Sequence, residues 1–189
     1  MAMLITKRKA YIFLILLFIV FLLINTTWLW KLMYPINYEE EIKQYSKRYE
    51  LDPYLVLAII QVETGFETDK ISKKGAFGLM QLMPETSDWI IQKGGFPKYC
   101  DEELLEPNNN INLGSWYLAS IYNQFDNNIV ATIAAYNAGP GNVNKWLTNG
   151  TWDGTEENID QIPYGETRHY IQRVLYFYDR YQWIYEHDF

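Results

Sequence analysis

The chain has 189 residues, enough for one sizeable core and too few for two ordinary domains once any membrane segment is set aside. Its net charge of -7 hides an asymmetry: residues 1–31 hold Lys7, Arg8, Lys9 and Lys31 with no acid (+4), leaving 12 basic against 23 acidic residues (-11) beyond them. So acidic a remainder repels phosphate backbones and argues against nucleic-acid binding, while one cysteine (Cys100) and two histidines (His169, His187) argue against a disulfide, a thiolate cluster or a zinc site.

Residues 10–30, AYIFLILLFIVFLLINTTWLW, are 21 residues without a charge, about 30 Å as a helix and the thickness of a bilayer core. Trp28 and Trp30 fall where an interfacial aromatic belt would lie, and Lys7–Arg8–Lys9 precede the run. The positive-inside rule puts residues 1–9 in the cytoplasm, 10–30 in the membrane as a single-pass anchor, 31–37 in a linker and 38–189 outside the cell membrane. A cleaved signal peptide is the competing reading. The run is long for one, and neither a small-x-small cleavage site nor a lipidation cysteine follows it.

Asn37, with Glu40 three residues on, predicts a capping box and a helix to about Glu50. Asp52–Pro53 is a second start signal, and the helix it opens, YLVLAIIQVET, is apolar on most faces and belongs at the centre of the domain. Gly65 is placed to end it. Residues 66–84 lack helical periodicity and predict an irregular segment, followed by a helix over 84–93. Gly94, Gly95 and Pro97 break the chain, and 106–110 is polar. Helices over 111–125 and 128–138, a stop at Gly139–Pro140–Gly141, a short helix over 143–147, a polar loop over 148–162 and a last helix over 164–185 complete an all-α reading.

Glu63 is the only charge between Pro53 and Phe66, at the C-terminal end of a helix that should be buried. Desolvation and the negative end of the helix dipole both raise a carboxyl's pKa, which would let it act as a general acid. The plain alternative is a helix-end glutamate that reaches solvent or pairs with a lysine.

Four motifs surround this residue in order: QVETGF, SKKGAFGLMQLMPET, AAYNAGPGNVNKW and PYGETRHYIQRVLYFY. Together they resemble the soluble lytic transglycosylase (SLT) family, lysozyme-like (goose-type) helical enzymes that cut peptidoglycan between N-acetylmuramic acid and N-acetylglucosamine. The resemblance runs from about Tyr38 to Tyr185. It implies Glu63 as the catalytic acid and base. Thr64 stands where the family has serine. It further implies Ser72, Gln81 and Met83 at the sugar subsites, Tyr136 with its hydroxyl by the catalytic glutamate, Asn137 beside it, and Tyr170 with Glu166 at the cleft. Met83 as core and Asn137 as part of a helix terminus are the plain alternatives.

The family's reaction needs no second protein carboxylate. Its glutamate protonates the glycosidic oxygen, and the C6 hydroxyl of the muramoyl unit closes a 1,6-anhydro ring. No metal or cofactor is implied; the implied partners are glycan strands, the membrane through the N-terminal helix, and cell-wall machinery. A hydrolytic muramidase and a wall-binding scaffold in a secretion or division complex are the rival functions.

Overall fold

The computed structural model describes residues 2–24 and 27–186; His187 and positions 25–26 of the expected membrane run lie outside them. The described chain forms two units, Met1–Ile36 and Asn37–Phe189.

The first unit holds helices α1 (Ala2–Ile24) and α2 (Thr27–Met33). The large apolar side chains from Tyr11 to Ile24 are exposed. Among the described residues no helix is long and apolar enough to cross a membrane. The expected 10–30 run is described only over α1 and α2, on either side of positions 25–26.

The second unit is built from eight α-helices and a short 3-10 turn among the described residues, and its all-α character agrees with expectation. Helix α3 (Glu39–Arg48) starts later than its capping signal suggests. Tyr38 is the N-cap in a left-handed conformation (φ 59°) with no side-chain cap bond, so the Asn37–Glu40 box does not form. Helix α4 (Pro53–Glu63) opens as its sequence dictates: the Asp52 carboxylate accepts from the Tyr54 amide at 2.9 Å, and Pro53 occupies the first turn. Every side chain from Leu55 to Ile60 is at most 2 % exposed, which makes α4 the centre of the unit.

Helix α5 (Pro84–Gly94) follows the irregular segment as expected and ends at Gly95 in the left-handed region. One element, α6, and the early start of another, α7, were not foreseen. Helix α6 (Asp101–Leu105) is opened by a capping box in which the Cys100 amide donates to Glu103 at 2.8 Å. Helix α7 (Pro107–Gln124) begins four residues before Ile111 because Pro107 starts it and the asparagine-rich stretch forms its first turn. Helix α8 (Ile129–Ala138) is capped by Asn128, and Gly139–Pro140 both stops it and starts α9 (Pro140–Thr148). A 3-10 turn at Ile159–Gln161 leads to the last helix, α10 (Gly165–Tyr185).

Helix α10 lies along α4 and is tied to it repeatedly. Tyr178 Oη and Gln182 Nε2 donate to Asp52 Oδ2 at 2.7 and 3.2 Å, and Tyr181 Oη donates to Gln61 at 3.0 Å. On another side, Tyr45 of α3 and Tyr49 at its C-cap donate to Asn108 and Asn112 of α7 at 2.7 and 2.6 Å. A second apolar cluster of Phe77, Leu82, Ile90, Leu104 and Leu113 joins the irregular segment to α5, α6 and α7.

Candidate active site

Glu63 occupies the last turn of α4, where the helix runs out of the core. Its Oε1 accepts a hydrogen bond from the Tyr170 hydroxyl of α10 at 2.7 Å. Burial pushes its pKa from 4.5 up to about 7, against the lowering effects of the Tyr170 hydrogen bond and the Arg173 and Lys70 charges; the Glu166 charge raises it further. Arg173 and Lys70 also hold the end of the helix, donating to the Val62 and Glu63 carbonyls at 3.3 Å each. They satisfy helix-terminal carbonyls while leaving the Glu63 carboxylate without a close ion pair among the described residues.

The segment after α4 is pinned from behind. Thr64 is buried and donates to the Ile60 and Leu79 carbonyls at 3.2 and 3.1 Å, so its hydroxyl serves the backbone. Asn110, fully buried in α7, accepts from the Met80 amide at 2.8 Å and donates to the Phe77 and Leu104 carbonyls at 3.0 and 2.9 Å. Gly78 makes this approach feasible: it adopts φ +67°, and a Cβ there would meet Asn110 Nδ2 at 2.5 Å. Ser72 Oγ accepts from the Ala76 and Lys74 amides at 2.9 and 3.3 Å and shapes the turn it begins. Gln81 sits at φ 47° with Nε2 bound to the Gly78 and Lys70 carbonyls at 2.8 and 3.1 Å.

Tyr136 ends close enough to Glu63 that the carboxylate charge, after burial, helps raise its phenol well above the ordinary value. Its hydroxyl nevertheless donates to the Met80 carbonyl at 2.8 Å, so it joins α8 to the pinned segment. The direct hydrogen bond to the acid comes from Tyr170, whose phenol is also raised well above the ordinary value, by burial first and by Glu63 next. Asn137 Oδ1 accepts from Thr167 of α10 at 2.8 Å.

A cavity of about 680 Å³ opens over Glu63 and brings together Ser72, Gln81, Met83, Tyr136, Asn137 and Glu166. Thr64 and Tyr170 lie behind this lining, in contact with the backbone and with Glu63 respectively. The sequence reading missed Lys73, Lys74, Tyr164 and Thr167, which also line it. Tyr164 is 48 % exposed with its ring edge-on to Trp146 at 5.2 Å, a preset apolar wall at the rim. The Lys-Lys pair in SKKGAF and the PYGET stretch were the available signals for these residues.

The arrangement can donate a proton near neutrality, hold the resulting carboxylate through Tyr170, and accommodate a ligand with both polar and apolar faces.

The family model described as the transglycosylase SLT domain matches residues 40–159, more than half of the chain. The soluble lytic murein transglycosylase of Escherichia coli K12 is 39% identical over 151 residues, covering 78% of this chain and 23% of that protein. The membrane-bound lytic murein transglycosylase C of Edwardsiella ictaluri is 30% identical over 159 residues, covering 73% of this chain and 44% of the relative. Among solved structures, the 70-kDa soluble lytic transglycosylase of E. coli superposes with a TM-score of 0.77 at 35% identity, over 82% of this chain and 25% of that one. The chain thus spans about a quarter to under a half of these relatives' lengths.

Proposed function

The chain belongs to the transglycosylase SLT family, and we propose on that premise that it is a peptidoglycan lytic transglycosylase cleaving the MurNAc-β-1,4-GlcNAc bond. The observation that carries this reading is Glu63, held protonated to about pH 7 by burial at the floor of the cavity and bonded to Tyr170. Glu63 donates its proton to the glycosidic oxygen as the bond to the anomeric carbon breaks. The Tyr170 hydroxyl stabilises the carboxylate this leaves. That carboxylate then takes the proton of the C6 hydroxyl, whose oxygen bonds to the anomeric carbon and closes the 1,6-anhydro ring. Glu63 ends protonated, ready for another turn, and the nucleophile is already part of the substrate. Ser72, Gln81, Met83, Tyr136 and Asn137 shape the surroundings of the sugars.

A hydrolytic muramidase is the second reading, favoured by one feature: Glu166, exposed on the first turn of α10, puts another carboxylate on the cavity wall. Inverting hydrolases need such a base for water. Digestion of purified murein followed by mass analysis separates the two. Anhydromuramoyl ends are expected; reducing muramoyl ends would overturn the transglycosylase reading in favour of hydrolysis.

The N-terminal unit attaches the domain to the cell membrane, with the cavity on the outer side, in this proposal. Support comes from the exposed apolar side chains of Tyr11–Ile24, the preceding Lys7–Lys9 cluster and the membrane-bound relatives. Recovery of the full-length chain in the soluble fraction of lysed cells would count against attachment.

A further inference from the structure

Two cations on the wall of the Glu63 cavity, Lys73 and Lys74, have no part in the reaction above. They are the corner residues of a closed turn. The Gly75 amide donates to the Ser72 carbonyl at 2.9 Å, and Gly75 takes φ +85°. The turn is braced from its base as well. The Ser72 hydroxyl accepts from the Lys74 and Ala76 amides, and the Ser72 amide donates to the Ala76 carbonyl at 2.9 Å. Adjacent corners of a fixed turn keep their two charges side by side.

The protein does not neutralise this pair. Both side chains are exposed, and among the described residues neither has a carboxylate within ion-pair distance. Of the acids in the same lining, Glu63 keeps its proton to about pH 7, which leaves Glu166 as one negative charge against two positive ones. Residues 32–189 as a whole carry 12 basic against 23 acidic residues, so this wall reverses the sign of the domain around it. Two like charges on one turn repel, and an anion held between them relieves the repulsion.

The chemistry of a murein strand limits which anion this is. In the proposed reaction the muramoyl C6 hydroxyl is the nucleophile, so an anionic substituent on C6 of the reacting unit is excluded. The lactyl ether on C3 ends in a carboxyl, which is either free or amide-linked to a peptide with carboxylates of its own. A lysine is a point charge on a flexible stem, suited to a carboxylate whose position varies with the peptide that carries it. Polyphosphates are disfavoured by the acidity of the rest of the domain.

We infer that Lys73 and Lys74 are specificity residues of the Glu63 cavity, which bind a carboxylate on the muramoyl substituent and discriminate against strands on which it is amidated. This rests on the glycan reading of that cavity. The charges act on binding and leave the broken bond untouched, so they select among strands without altering the chemistry.

The test uses the full chain carrying Glu63→Gln, so that ligand is not consumed, and measures binding by calorimetry. The probes are soluble murein oligosaccharides in two sets, one stripped to the free lactyl carboxyl and one bearing stem peptides. Each set is compared before and after conversion of its carboxyls to methylamides. The carboxylate form is expected to bind about three- to tenfold tighter, and the set that shows this names the source of the anion. The preference should shrink as salt is raised. It should vanish with Lys73→Gln and Lys74→Gln together and persist with Lys73→Arg and Lys74→Arg, which keep both charges on the same turn. Either glutamine substitution alone should remove part of it, which keeps the test open if the double variant fails to fold. Equal binding of carboxylate and methylamide in both sets would overturn the inference. So would a preference that survives the loss of both lysines. If no strand of either set binds, the glycan reading of the cavity falls, and this inference falls with it.

Discussion

Replacing Glu63 by glutamine isolates what it costs the folded protein to ionise its acid. In the unfolded chain this carboxyl loses its proton around its ordinary 4.5; in the fold, chiefly through burial, it keeps it to about 7. Between those values the native state binds a proton that the unfolded state has released. Native stability then falls as pH rises, by about 1.4 kcal/mol for each pH unit. Carried from 4.5 to 7, the loss reaches a ceiling of about 3 kcal/mol, reduced to the extent that the side chain keeps some contact with water. Below 4.5 both states are protonated and above about 7 both are ionised, so this contribution is flat outside the window. Glutamine stands for the protonated acid at every pH. Urea unfolding of the two proteins, run from pH 4 to pH 9, should give curves of stability against pH that separate across the window, with wild type losing ground. Parallel curves would refute the reasoning, because they would mean that Glu63 ionises as freely in the fold as in the open chain and is no acid at neutrality.

Two further outcomes follow from the same geometry. Tyr170→Phe removes the hydroxyl 2.7 Å from Glu63 that favours its ionised form, so the alkaline limb of the cleavage rate, expected near pH 7 in wild type, should move upward while the maximal rate drops; a limb that stays in place would contradict it. Asn110→Ala leaves the Met80 amide and the Phe77 and Leu104 carbonyls without their partner, and should cost about 2–5 kcal/mol in denaturant unfolding. A loss below about 1 kcal/mol would show that water reaches and replaces those bonds.

The main helices were legible because their signals are local. Asp52–Pro53 names the start of α4, Asn128 caps α8, and the apolar run between Leu55 and Ile60 announces a buried helix. The misjudged stretches are those whose polar residues serve the interior. Asn110 looks like loop composition, yet it is wholly buried and spends its amide on three backbone groups, so α7 starts four residues early. Glu63 was legible as the one charge in an apolar helix. Which tyrosine would reach it was not, because that depends on the angle at which α10 crosses α4: Tyr170 takes the carboxylate and Tyr136 takes the Met80 carbonyl. A separate cavity of about 320 Å³ beside Trp89 was illegible for the same reason. Trp89, Tyr117 and Pro140 belong to three different helices and meet only in the fold.

The pairing of α4 with α10 also has a temporal side. Glu63 is synthesised 107 residues before the tyrosine that completes it, and Asp52, which starts the same helix, awaits Tyr178 and Gln182 from still later in the chain. A growing polypeptide that has made everything up to α9 has the glutamate but neither its hydroxyl partner nor the helix that buries it. The acid is therefore armed only once α10 has been made and closes over α4. Under the proposed wall-cutting function, chain order alone keeps the reactive group incomplete until α10 is made.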